Sequence, residues 1–301
     1  MTLQTHQSGV ALTSLERAVF EAVAYADVFD FPVTLEEIRH ALPATARRAD
    51  LAKVMAPDGP LGGLVSEAGP FYVLAGRESL AEVRRRRAEA SVSLMRRGVR
   101  YGSLIARLPF VRMVAITGSL AVANAEAGDD VDYLIVTAKG RLWLTRGLTM
   151  LVVRLAGLRG LTLCPNYLLS ESALALRERG LYTARELLQM RLVRGQEVYA
   201  RMLAENAWTR ELLPNWDVAI ETEKGHRSIP ARLGERLLGG RLGDALERSL
   251  LRRKGGELRA QAGDKDEAEF NEDVCKGHFD AHRARLRDAL AERMRRLEGG
   301  P

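Results

Sequence analysis

Asp130 and Asp132 are spaced to act together. One residue separates them, and they open the apolar run Tyr133-Leu134-Ile135-Val136. Side chains on a strand alternate between faces, so a strand here points both carboxylates the same way. Paired carboxylates are the oxygen ligands that hard cations such as Mg2+ prefer. Upstream, a second apolar run containing Val111, Val114, Ala115 and Ile116 ends in Gly118-Ser119. A Gly-Ser turn opening a helix can offer backbone N–H groups and a hydroxyl to a phosphate. A cation site beside a phosphate cradle points to phosphoryl or nucleotidyl transfer, in which metal ions steady both the attacking and the departing oxygen. Asp129 falls on the opposite strand face and reads as a turn or cap residue.

A Gly-Ser turn, a short helix and Asp-x-Asp at the head of an apolar strand are carried here by Gly118-Ser119 and Asp130-Val131-Asp132. This pattern resembles the nucleotidyltransferase superfamily typified by DNA polymerase beta and kanamycin nucleotidyltransferase, over about residues 110–172. The resemblance implies a nucleoside triphosphate as substrate, Mg2+ as cofactor, and transfer of a nucleoside monophosphate to a hydroxyl acceptor, here expected to be a small molecule. It implies Asp130 and Asp132 as metal ligands and catalytic residues. It also implies a third carboxylate on the next strand, where this chain has Asn166 and no Asp. Three readings follow: Asn166 completes a two-carboxylate site, Glu171 folds back to it, or the domain binds nucleotide without turning it over. Gly118 and Ser119 are the expected phosphate contacts. Arg141 and Arg146 join them as candidates, because guanidinium pairs well with phosphate oxygens.

The elements that must position these residues are legible in outline. Thr13 with Glu16, and Thr34 with Glu37, are spaced as capping boxes and start helices. A third helix is expected over 46–55, then strands 64–67 and 71–75 joined by Ala68-Gly69-Pro70. Three short helices and a hairpin read as a winged helix-turn-helix over residues 13–77, and YADVFDFPVTLEEI looks like the start of such domains in bacteria. A linking helix fills 78–109, with a break expected near Gly98 or Gly102 and an end at Pro109. In the core, 110–172, the pattern predicts strand 111–117, helix 120–126, strand 131–137, helix 141–157 and strand 161–169. Residues 173–301 read as a C-terminal helical region: helices over 173–180 and 184–213, a polar loop over 221–232, then helices 233–253 and 276–297. The expected class is α+β, a mixed sheet flanked by helices.

The 301 residues suffice for two or three domains, and a formal charge of +6 favours an anionic partner such as a nucleotide or nucleic acid. Two cysteines, Cys164 and Cys275, stand far apart and argue against a disulfide scaffold. No basic start with a long apolar core opens the chain, and the most apolar stretch, 142–158, is interrupted by Arg146 and Arg154. No membrane partner and a cytoplasmic location are therefore expected. Serine-nucleophile, P-loop and dinucleotide-binding motifs are absent. His278 and His282 share a helical spacing that can bind zinc but lack a third ligand. Glu197, Tyr199, Asn206 and Trp208 are weighed as base or acceptor contacts against plain packing. In the expected recognition helix, Arg47, Arg48 and Lys53 could meet nucleic acid. The alternative to an enzyme is thus a winged-helix regulator with a catalytically degenerate, nucleotide-sensing domain.

Overall fold

The computed structural model describes residues 12–218, 229–263, 268–277 and 282–298. The chain divides into two compact units, one comprising residues through Glu82 with Leu213–Asn215 and the residues from Asp288 onward, the other Val83–Leu212 with Trp216–Arg287.

The first unit contains α1 (Ser14–Asp27), α2 (Leu35–Ala41), α3 (Arg48–Val54) and an antiparallel hairpin of β1 (Val65–Ala68) and β2 (Phe71–Leu74). Both capping boxes form: Thr13 Oγ1 accepts from the Glu16 N–H and Thr34 Oγ1 from the Glu37 N–H. The apolar spacing of α1 puts Val19, Phe20 and Val23 into a core shared with Ile38, Leu51 and Leu74. Leu290, Met294 and Leu297 pack on the same core, and Arg293 Nε donates to Asp27 at 2.6 Å. The chain beyond 173 is therefore not one region, because its last turns complete the N-terminal unit.

Helix α4 (Leu80–Ile105) runs without a break into the second unit. Gly98 and Gly102 do not interrupt it; they permit close packing. A β-carbon at Gly98 would stand 3.1 Å from Ile116 and Val131, and one at Gly102 3.1 Å from Tyr133. There follow β3 (Val111–Ile116), α5 (Gly118–Ala121), β4 (Val131–Thr137), α6 (Leu142–Gly157), β5 (Leu163–Ser170), α7 (Leu181–Gln189), β6 (Arg191–Arg194), α8 (Gln196–Glu205) and α9 (Trp208–Leu212). Then come α10 (Ile229–Leu238), α11 (Arg241–Leu250), a π-helical turn, α12 (Gly256–Ala262), β7 (Glu269–Phe270), β8 (Val274–Lys276) and α13 (His282–Met294). The sheet order is β6-β3-β4-β5-β8-β7, with β4 and β5 parallel and the other pairs antiparallel. The alternation of β4 divides its side chains. Val131, Tyr133 and Ile135 pack with α4 and α6 residues such as Tyr101, Ile105 and Trp143. Leu134 and Val136 pack with Leu187 of α7 and Tyr199 and Met202 of α8.

The sequence-based expectations need four corrections. Helix α5 occupies 118–121 rather than 120–126, because Ala123 turns to φ 57° and Arg84 takes the carbonyls of Val122 and Ala123. Residues 173–180 are not helical. The expected helix over 184–213 is split by β6, which pairs with β3 and ends at Gly195, where φ is +99°. The helices expected over 233–253 and 276–297 are also divided. The first breaks between α10 and α11 at Gly239-Gly240; at the start of the second, Lys276 belongs to β8, and helix is described over His282–Met294. No helix among the described residues is long and apolar enough to cross a membrane.

Gly195 tests this packing. Its positive φ excludes most side chains, and a β-carbon there would lie 2.6 Å from the Met113 Cα. Gly195→Ala is expected to lower stability by about 1–3 kcal/mol, read as a drop in the urea midpoint. An unchanged midpoint would show that β6 does not depend on this close approach.

Candidate metal and phosphate site

Antiparallel pairing of β3 with β4 aligns Ile116 with Tyr133, which brings the turn at 117–119 beside Asp132. The Thr117 N–H donates to the Asp132 carbonyl at 3.1 Å. Gly118 has φ +67°, and a β-carbon on it would sit 2.5 Å from Asp132 Oδ2. Only glycine lets the turn and the carboxylate share this space. Ser119 stands exposed on α5.

The loop between α5 and β4 is held from outside by α4. Buried Arg84 donates to the Val122 carbonyl at 3.0 Å. Ser91 Oγ accepts from the Ala125 N–H at 3.1 Å, and Arg87 pairs with Glu126 at 3.2 Å. The arginine run 84–87 therefore includes two side chains that fix this loop. Asp129 Oδ2 accepts the Glu126 N–H at 2.9 Å, a turn-closing role that leaves Asp130 to face the site.

Donor atoms of Asp130, Asp132 and Cys164 lie within 4.8 Å of one another. Cys164 arrives there because parallel pairing sets it opposite Asp132. The next step of β5 carries an irregularity, with Pro165 and Asn166 set against the single residue Tyr133. Proline has no N–H to give the ladder, so a bulge is a natural place for it. Asn166 Nδ2 donates to Asp132 Oδ1 at 2.8 Å. Asn166 therefore reaches the site, with its amide nitrogen rather than its carbonyl turned to the acid.

Burial raises the Asp132 pKa to about 7; the negative charge of Asp130 adds to the shift, a hydrogen bond from Cys164 opposes it, and Glu186 and Asp129 raise it further. Burial, then the charges of Asp132 and Asp130, push the Cys164 thiol up to about 12. Glu186, on α7, is likewise raised to about 7 by burial, against the attraction of Lys276. The ammonium of Lys276 binds Glu178 at 2.6 Å and stands 5.6 Å from the centre of the Tyr167 ring. Acids thus gather with little cationic compensation, and a divalent cation would remove that imbalance. Donors within 4.8 Å are near the separation that ligands about 2.0–2.3 Å from one ion can have. The two carboxylates are oxygen donors that could hold such an ion, while the neutral thiol beside them is too soft and too protonated to serve a hard cation as a ligand.

Other expected residues lie elsewhere. Glu171 and Arg141 flank the far end of β4, whose seven residues extend roughly 20 Å. The Glu171 N–H bonds the Thr137 carbonyl, so Glu171 does not fold back. Arg141 is spent on Asp244 at 2.6 Å and the Gly239 carbonyl at 2.8 Å. The N-terminus of α6, where a phosphate would bind, already holds Glu247: its carboxylate accepts from the Trp143 and Leu144 N–H groups at 2.8 and 2.7 Å. Arg146 lies over Trp143 and beside Cys275, on the sheet face opposite Asp132. Tyr199 and Asn206 are buried; Tyr199 donates to the Leu187 carbonyl, and Asn206 bonds Leu174 and Leu176 and accepts from the Trp208 indole. Glu197 is exposed on α8. His278 lies outside the described residues.

Three residues join the site that the sequence did not mark: Cys164, Glu186 and Arg191. Arg191 pairs with Ile116 across the edge of the sheet, and its Nε donates to the Ala121 carbonyl at 2.9 Å, so it stands beside the Gly118-Ser119 turn. Cys164 could be assigned only from strand register. The signal for Glu186 was an acid embedded in the apolar side of an amphipathic helix, next to Leu187-Leu188. No protein-family model, curated protein or solved structure matches the chain.

The raised acids have a definite consequence for stability. Between the unfolded carboxyl values of 3.8 and 4.5 and the folded values of about 7, the folded protein binds more protons than the unfolded chain. Without metal, stability should therefore fall as pH rises from about 4 to about 7 and level off above that. Asp132→Asn and Glu186→Gln should each flatten this slope, read from urea midpoints at about pH 5 and about pH 8 in chelator. Identical slopes in wild type and both variants would contradict the assignment.

Proposed function

We propose that the second unit is a divalent-cation-dependent nucleotidyltransferase acting on a nucleoside triphosphate and a small hydroxyl acceptor. One observation carries the reading: the Asp132 carboxylate clusters with that of Asp130 and also fills the space where a β-carbon on Gly118 would stand. A cation held by the two acids would thus lie beside the turn proposed to take phosphate.

In this mechanism Asp130 and Asp132 would hold Mg2+ through their carboxylate oxygens, with the neutral Cys164 thiol beside them and not a ligand. Bound divalent cations supply charge neutralisation at the attacking and leaving oxygens. The acceptor hydroxyl forms the new bond to the α-phosphorus, the bond from that phosphorus to the β-phosphate bridging oxygen breaks, and pyrophosphate leaves. Ser119 and the turn orient the departing phosphates, and Arg191 adds positive charge beside them. Glu186, close enough to Asp132 for its charge to raise that carboxyl's pKa, is the group proposed to take the hydroxyl proton. Asn166 is a positioning residue that fixes the Asp132 carboxylate through its amide.

A second reading draws on the neutral residues beside Asp132 on β5. With Cys164 and Asn166 there and no acid, the unit would bind a nucleotide and signal rather than react. The first unit, read as a winged helix, would then carry the output. Duplex binding draws less support, because Arg47 is engaged by Asp50 at 2.9 Å, leaving Arg48 and Lys53 exposed on α3.

Pyrophosphate release separates these readings. With Mg2+ and the matching triphosphate, wild type should release pyrophosphate and Asp132→Asn should lose at least about a hundredfold in rate. Glu186→Gln should lower kcat by roughly a hundredfold with KM little changed. A nucleotide-dependent rise in melting temperature without pyrophosphate release would select the sensor. Neither effect with any common triphosphate would refute both.

A further inference from the structure

We propose that α10 and α11 form a docking surface for an anionic membrane, lying on it rather than crossing it. Each helix has ten residues, about half the length needed to span a bilayer. On α10, Ile229, Leu233 and Leu237 recur at helical spacing and are 81%, 57% and 68% exposed. On α11, Leu242 and Leu246 continue the pattern, and Leu242 is 63% exposed. Singly exposed leucines are common; five on two successive helices are a face.

The charges of the same segment are sorted. Arg232 and Arg236 of α10, Arg241 and Arg248 of α11, and Arg252 and Arg253 just after are all exposed and form no ion pair among the described residues. At 100° per residue, Arg232 and Arg236 border the outward leucines of α10, and Arg241 and Arg248 lie roughly 100–160° round α11 from its leucines, on its exposed side. The acids turn inward. Glu235 binds Arg112 at 2.7 Å and the Phe110 N–H at 2.9 Å, Asp244 binds Arg141 at 2.6 Å, and Glu247 caps α6. Negative charge is consumed in fastening the helices to the sheet, and positive charge with apolar surface is left outside.

A leucine face bordered by arginines suits an interface of anionic headgroups over acyl chains. A second copy meeting this face about a two-fold axis would set the arginine row against itself. The segment 229–255 also lacks aromatic residues, the usual anchors of protein interfaces.

Co-sedimentation of the full chain with vesicles tests the proposal. Vesicles of phosphatidylcholine with phosphatidylglycerol should bind it, and phosphatidylcholine alone should not. Leu233→Ser/Leu237→Ser should weaken binding roughly tenfold, as should Leu242→Ser/Leu246→Ser and Arg232→Glu/Arg236→Glu. Arg96→Glu/Arg100→Glu, the same charge change on α4, should leave binding within about twofold. Absence of binding to anionic vesicles overturns the proposal. So does full binding by the serine variants, which would mean simple adsorption of a basic protein, or an equal loss in the α4 variant. A concentration-dependent dimer in sedimentation equilibrium, broken by the serine variants and unaccompanied by vesicle binding, would assign the face to a second copy.

Discussion

The Asp132 carboxylate occupies the space that a β-carbon at position 118 would need. That steric exclusion ties three elements together. Strand β3 must end where it does, so that a residue with positive φ meets the start of β4. The pairing of Ile116 with Tyr133 must hold, since a one-residue slip would turn Asp132 to the other face. The loop between them must return Asp130 to the same side, and Arg84, Arg87 and Ser91 of α4 hold it there. A long helix that looked like a connector from its sequence is thus part of what shapes the candidate site.

The site is electrostatically costly in the absence of a cation. Burial first, then the charges of Asp130, Glu186 and Asp129, raise the proton affinity of Asp132, burial raises that of Glu186, and Lys276 is already committed to Glu178. The rest of the sheet offsets that cost with packing. Val131, Tyr133 and Ile135 are fully buried against α4 and α6, and the Tyr133 hydroxyl donates to the Gly98 carbonyl at 2.6 Å. The strand that presents the acid is also the most completely buried in the unit, so Asp132 has little freedom to relax away from its neighbours. Rigidity beneath and repulsion above are the two features on which the proposed cation site rests.

What could be read from sequence follows physical range. Capping boxes, the alternation of β4 and the glycine before Ser119 are local patterns, and each led to the correct local geometry. The direction of Asp132 was legible from strand period, whereas Asp130 precedes β4 and owes its place to the loop that α4 holds. Asn166 was found by position along β5, but its contact with Asp132 depends on a bulge at Pro165 that alternation does not reveal. Cys164 and Glu186 depend on register between strands and on which face α7 covers, both non-local. Arg141 and Arg146 were misplaced for the converse reason: they follow β4 in the chain, yet a strand carries its two ends roughly 20 Å apart. Strand β6 was hidden because four residues of Arg-Leu-Val-Arg carry too short an alternation to stand out between helices.

The same length of strand gives the second unit two chemically different ends. Where β3 ends and β4 begins, acids converge and cations are scarce. Where β3 begins and β4 ends, Arg112 and Arg141 draw Glu235 and Asp244 inward, and Glu247 fills the N-terminus of α6. Each acid used this way subtracts from the outer surface of α10 and α11 and leaves its arginines unbalanced. A formal charge of +6, read over the whole sequence, suggested a diffuse affinity for anions. The fold instead separates that charge: carboxylates cluster at one end, and arginines with exposed leucines remain on the outside of α10 and α11 at the other. The separation follows in part from the ion pairs and helix cap that use up the acids of α10 and α11 where these helices dock.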